Sequence, residues 1–193
     1  MTDKVDIKKL GDKYFVFDVN DVQLLRTKYR IVGALNGTLP QFPLQNTFYG
    51  LPLILLLEEV ELLVNRGWAN IIQKTSKTAS ITTVMQKPHV TMATNILVQE
   101  HNKMNAFVFD FFWSQGYYIT SGIKFGGHFL LYPDDPMCVH SEYIVSIKDK
   151  HQDILPLEII GMGRAATNVK KTFVLAAKDQ EQVLCYSVEW AGF

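Results

Sequence analysis

This sequence predicts an α/β fold in two parts, and three patterns carry the prediction. Short apolar runs bounded by Gly, Pro and Asn have the length of strands, and the stretches between them repeat their apolar residues at helical spacing. The third pattern is a break in composition: Gln73 to Asn95, QKTSKTASITTVMQKPHVTMATN, is rich in Thr, Ser and Lys and poor in large apolar side chains. It is expected to link an N-terminal mixed α/β domain (1–94, with the linker near 73–94) to a C-terminal α/β domain (95–193).

Taken in order, KYFVFD (13–18) reads as a strand, and Asn20 is expected to cap the helix DVQLLRTKYR, whose Val22, Leu24, Leu25 and Tyr29 share an apolar side. Gly33 to Pro43, punctuated by Gly and Pro, reads as a loop. Leu51 to Leu57 is a strand or a buried approach to the helix EEVELLVNR. The leading glutamates of that helix suit the positive end of its dipole, and Gly67 suits a C-cap. Trp68 to Ile72 is a short strand.

The C-terminal part starts with a helix, Ile96 to Gln115, ended by Gly116. Its aromatic run FVFDFFW falls at helical spacing, which points to core packing rather than to a base-stacking platform. From Tyr117 a strand turns on Gly122 and on Gly126-Gly127 into a second strand that ends at Tyr132. Pro133, Asp134, Asp135 and Pro136 then impose an irregular turn. Ser141 to Ile147 alternates as a strand, and a polar turn follows it. Pro156 suits the first position of a helix running to NVKK, and the strands Thr172–Ala177 and Val183–Trp190 follow. Such a final strand offers an edge that is safer covered by a partner.

The 193 residues, 48% of them hydrophobic, suffice for a sizeable core. Nineteen basic residues balance nineteen acidic ones, so a general polyanion binder is excluded and nucleic acid would have to be met by a local patch. Cys138 and Cys185 lie far apart, neither in a CxxC pair, and read as reduced thiols of an intracellular protein. No apolar run reaches the ~18 residues of a membrane span. The first residues lack the apolar stretch of a secretory signal, so a soluble protein is expected.

Three residues in the C-terminal half have side chains suited to moving protons or balancing charge at element ends, where chemistry often sits. Tyr132 closes a strand, His140 follows eight residues later, and Lys171 stands between a helix and a strand. Each has a plain structural account: half-buried packing for the tyrosine, a satisfied polar residue for the histidine, pairing with the helix dipole for the lysine. No Asp/Glu/His cluster shows metal-ligand spacing.

The set GxKFGGxFLxYPxDP, a histidine eight residues beyond its tyrosine, and VKKT thirty-one residues beyond that histidine resembles the tRNA-splicing endonuclease family. LPLILLLEEVELLVNRGWANI, with QNTFYG ahead of it, resembles the eukaryotic catalytic subunit that cleaves the 3′ splice site. The resemblance implies an endonuclease-like α/β C-terminal catalytic domain with Tyr132, His140 and Lys171 as catalytic residues. It also implies Arg164 and Trp190 as the pair that holds an RNA base, with core packing on Leu184, Tyr186 and Val188 as the competing role for Trp190. His128 replaces the acidic or small residue common after the glycine pair and is expected to be a surface variation.

By the same resemblance the substrate is precursor tRNA, no metal or other cofactor is required, and the products end in a 2′,3′-cyclic phosphate and a 5′-hydroxyl. The implied assembly is a nuclear heterotetramer of two catalytic and two structural subunits, in which this chain pairs with a small structural subunit through its C-terminal strands. The competing readings are a non-catalytic scaffold of the same assembly, a non-enzymatic RNA-binding module, and a self-assembling enzyme of the archaeal type.

Overall fold

The computed structural model describes residues 4–41, 47–73 and 92–191. Its N-terminal sheet starts with β1 (Val5–Leu10), a strand absent from the sequence expectations. Charged residues dilute VDIKKL, yet Val5 and Ile7 are fully buried while Asp6 and Lys8 face water, the alternation of a half-buried strand. β2 (Lys13–Val16) leads into α1 (Val19–Thr27). The cap of α1 is Asp18 rather than Asn20, because the Asp18 carboxylate accepts the N–H groups of Asn20 and Asp21, which lie in the first turn.

The expected loop after Gly33 contains a strand, β3 (Ala34–Gly37), paired with β4 (Gly50–Leu55). Here glycine marks close backbone approach: a Cβ on Gly37 would lie 2.2 Å from the Leu51 carbonyl oxygen. Next come α2 (Leu57–Asn65) and β5 (Ala69–Gln73). The order is β3-β4-β2-β1-β5, antiparallel except for the parallel β1–β5 pair.

α3 (Met92–Ser114) opens the C-terminal part four residues before the expected start. Gln73 thus closes a strand and Met92 begins a helix, while the rest of the expected linker, 74–91, lies outside the described residues. The second sheet comprises β6 (Tyr118–Ser121), β7 (Phe129–Tyr132), β8 (Tyr143–Ile147), β9 (Thr172–Asp179) and β10 (Gln182–Val188), with α4 (Pro156–Asn168) between β8 and β9. Its order is β10-β9-β8-β7-β6, with β8–β9 the parallel pair that the intervening helix permits.

Alternation along these strands buries both faces. Phe129, Leu131, Val145 and Val174 join a core shared with Phe109 and Val108 of α3 and with Val5, Ile7 and Leu63 of the N-terminal part. Leu130, Ile144 and Phe173 point the other way, onto Ala166 of α4. The FVFDFFW run is core, as its spacing predicts: Phe109 is 1% exposed and Trp113 is buried with its indole N–H on the Tyr29 carbonyl. Tyr29 in turn stacks on Trp68, so the two domains share one apolar interior. No described helix is long and apolar enough to cross a membrane.

Candidate active site

Register brings Tyr132, His140 and Lys171 to one end of the C-terminal sheet. β7 runs antiparallel to β8, so the end of β7 lies beside the start of β8; β9 is parallel to β8, so it starts at the same end. The Glu142 N–H donates to the Leu131 carbonyl at 2.9 Å, and the Thr172 N–H donates to the Glu142 carbonyl at 2.9 Å. Those two bonds tie together the residues next to Tyr132, next to Ser141, and next to Lys171.

Local structure fixes each side chain. Gly126 takes a left-handed φ of 76° after the 3-10 turn Ile123–Phe125, and a Cβ on Gly127 would lie 2.8 Å from the Val145 carbonyl oxygen. That tight turn sets β7 against β8 and leaves Tyr132 at the open end, half-buried, its phenol oxygen accepting the Thr120 hydroxyl at 3.4 Å.

Between Tyr132 and His140 the chain is organised by Asp135. Its backbone carbonyl accepts the N–H groups of Cys138 and Val139, and its carboxylate accepts the Met137 N–H at 2.7 Å. Arg26 of α1 grips the same carboxylate with two bonds, 2.9 Å from Nε and 2.6 Å from Nη2. This guanidinium holds the Asp135 carboxyl below the usual carboxylate range. Nothing in the local sequence signals a pair 109 residues apart. His140 follows this loop, exposed to solvent.

Lys171 is delivered by the end of α4. Lys170 takes a left-handed φ of 55°, its N–H donates to the Thr167 carbonyl, and the Lys171 N–H donates to the Ala166 carbonyl, a Schellman closure. The Lys171 ammonium donates to the Ser141 carbonyl at 2.7 Å and stands 5.8 Å from the Phe125 ring centre. Burial lowers its pKa from the ordinary lysine value.

His140, Lys171 and Trp190 line one cleft of about 680 Å³, together with the carboxyl-bearing Glu142 and Glu189. Tyr132 lines a separate cavity of about 380 Å³ with Thr120 and Phe125. The Phe125 ring, near the Lys171 ammonium, borders the space between them. Trp190 lies beyond the end of β10 rather than on it, is 42% exposed, and has the Arg164 guanidinium 5.7 Å from its ring centre. Core packing therefore does not account for it.

His128 is not a surface variation: it is half-buried, and its Nδ1 accepts the Ile147 N–H at 3.1 Å, extending the β7–β8 ladder. Among the described residues no group of three or more His, Cys, Asp and Glu is arranged to hold a metal ion.

An imidazole and an ammonium share one cleft with Trp190 of the cation-aromatic pair, and the phenol at the neighbouring strand end lines a separate cavity; these are groups suited to proton transfer at a phosphodiester. Residues 103–186 match the family model of the tRNA intron endonuclease catalytic C-terminal domain, and residues 5–74 match the TSEN34-like N-terminal domain. The chain belongs to the tRNA-splicing endonuclease family.

Among its relatives is the probable tRNA-splicing endonuclease subunit sen34 of Schizosaccharomyces pombe, 28% identical, with 99% of each chain covered. The human tRNA-splicing endonuclease subunit Sen34 is 35% identical over 42% of this chain and 26% of the human one. An archaeal tRNA-splicing endonuclease, from Pyrococcus horikoshii, is 28% identical over 73% of this chain and 78% of its own.

Proposed function

We propose that this chain is a catalytic subunit of the tRNA-splicing endonuclease and cleaves precursor tRNA at the 3′ splice site. The observation that supports this most is the common end of β7, β8 and β9, where Tyr132 closes β7, Lys171 directly precedes β9 and His140 stands in the loop that leads into β8. Tyr132 is the base that takes the proton of the ribose 2′-hydroxyl. The freed oxygen attacks phosphorus, the P–O5′ bond breaks, and the His140 imidazolium protonates the departing 5′ oxygen. One product ends in a 2′,3′-cyclic phosphate and the other in a 5′-hydroxyl, so atoms and charge balance with no further reactant.

The Lys171 ammonium is the cation assigned to this step. A cation stabilises the charge that develops on the phosphorane oxygens, and partial burial strengthens that effect. The side chains assigned these roles need no metal ion for this step. Arg164 and Trp190 hold an unpaired base between guanidinium and ring, the usual way single-stranded bases are gripped.

The same reading makes the chain part of a nuclear heterotetramer and gives the exposed edge of β10 to a small structural subunit. The test is His140→Ala in the reconstituted complex with an intron-containing precursor. The 3′ cut is expected to disappear while the 5′ cut, made by the second catalytic subunit, persists. Undiminished release of the 3′ exon would make this chain a scaffold.

A further inference from the structure

We propose that the cavity beside Tyr132, built jointly by the two domains, is a nucleoside subsite for the substrate nucleotide that supplies the attacking 2′-hydroxyl. This rests on the base role given to Tyr132, since the ribose that loses the proton must sit against its phenol oxygen. From there a base extends into the space that Tyr132 itself lines. At about 380 Å³ the cavity falls within the ~300–1,000 Å³ of small-ligand sites.

Its chemistry suits a nucleoside. Ile54 and Leu130 supply apolar walls, and Phe125, 39% exposed, offers an aromatic face on which an unstacked base can lie. Exposed Lys124 supplies a cation for a flanking phosphate, and Thr120 holds the phenol oxygen. An extended hydrocarbon ligand would gain nothing from that lysine, nor from the second cation, Lys171, that stands 5.8 Å from the Phe125 ring centre.

The N-terminal wall is held in place before any RNA arrives. Glu59, 1% exposed, accepts the Gly33 N–H with Oε1 at 2.9 Å and the Leu56 N–H with Oε2 at 2.8 Å. It thereby clamps the entry to β3 against the end of β4, the two segments that face Tyr132 across the cavity. A preformed wall spends less of the binding energy on ordering. The N-terminal domain, which supplies none of the proposed catalytic groups, would then read the nucleotide at the cut.

The probe is a precursor tRNA carrying 2-aminopurine, with a 2′-deoxy sugar that blocks cleavage, at the nucleotide 5′ of the 3′ cut, bound to the complete four-subunit complex. Binding is expected to quench its fluorescence. Ala34→Phe, an exposed β3 position that places a ring in the cavity, should abolish the quench and weaken binding about tenfold, and Phe125→Ala should reduce the quench.

An abasic residue at the same nucleotide should cost the wild-type complex a similar factor and cost Ala34→Phe nothing further. A quench unchanged by Ala34→Phe, or losses that multiply, overturns the subsite. Because the signal does not depend on cleavage, it separates this idea from the nuclease reading. Normal cutting by His140→Ala with the quench intact would sink the nuclease reading alone.

Discussion

The two sheets are near twins in plan, each with five strands and one parallel pair, yet only one gathers the proposed catalytic side chains. In the N-terminal sheet the parallel pair β1–β5 lies at an edge, so one strand end of that pair has no neighbour beyond it. In the C-terminal sheet the parallel pair β8–β9 is internal, and β7 arrives antiparallel beside it. Three strand ends then meet in one row, and two connections, the β7–β8 loop and the turn from α4 into β9, run from it. The lesson is that topology gathers chain ends but does not decide what they carry: the end of β2 and the starts of β1 and β5 also share one end of their sheet, yet only the β7, β8 and β9 end bears the proposed catalytic side chains.

The largest effect is expected on that row. Tyr132→Phe keeps the ring and removes the proton acceptor, so 3′ cleavage should fall by roughly 10²–10⁴-fold with substrate binding kept. Single-turnover kinetics on the assembled complex would measure it. An unaltered rate would demote the C-terminal row to a binding surface.

The N-terminal twin carries its ionisable group inside the protein, and its stability should show it. Burial outweighs the three backbone N–H bonds, from Gly33, Leu56 and Val32, and pushes the Glu59 carboxyl up to about 7. The folded chain then holds a proton that the unfolded chain releases near pH ~4.5. Between those values the native state binds more protons, so this contribution is full below pH ~4.5 and lost as pH rises through about 7. The loss is on the order of 3 kcal/mol and should vanish from the pH profile of Glu59→Gln in thermal unfolding.

Asp135 titrates the opposite way: its lowered pKa gives a contribution present above the usual carboxylate range and lost as pH falls below it.

Two ion pairs join the twins, Arg66–Asp110 and Arg26–Asp135, and the second runs from α1 to the loop that precedes His140. Removing the guanidinium with Arg26→Ala leaves Asp135 holding the loop alone. We expect a cost of ~1 kcal/mol in stability, the scale of a bidentate, partly exposed pair. Cleavage should fall a few-fold, as a lower kcat rather than a higher KM. Asp135→Asn should show the same loss, and the double variant little more. Additive losses would mean that the N-terminal domain does not position the His140 loop.

These cases also separate what a sequence reveals from what it hides. Tyr132 and Lys171 were legible because each sits beside local punctuation: Pro133 after a strand, a helix end before another. The C-terminal elements are strongly patterned, and their expected bounds lie close to the observed ones. β1 escaped notice because its outward positions are charged, and β3 because its glycines, read as turn signals, serve a close strand approach. Arg26 with its Asp135 partner, and the cavity that Glu59 lines, carry no nearby signal, since both are set by tertiary packing. Trp190 is expected on a strand but lies past the end of β10, and its exposure follows from where that strand stops.

The smallest effect sharpens the account of how Lys171 is aimed. The residue before it, Lys170, occupies the left-handed position that glycine usually fills at a helix end, at φ 55°. An L-residue there carries roughly 1 kcal/mol of strain. Lys170→Gly should therefore raise the unfolding midpoint by an amount worth up to ~1 kcal/mol, offset in part by the greater freedom that glycine gives the unfolded chain. Because the Schellman bonds come from the backbone, Lys171 should keep its bond to the Ser141 carbonyl and 3′ cleavage should hold. If the midpoint rises but cleavage drops, the Lys170 ammonium itself serves the cleft it lines, and the aim of Lys171 depends on charge as well as on the turn.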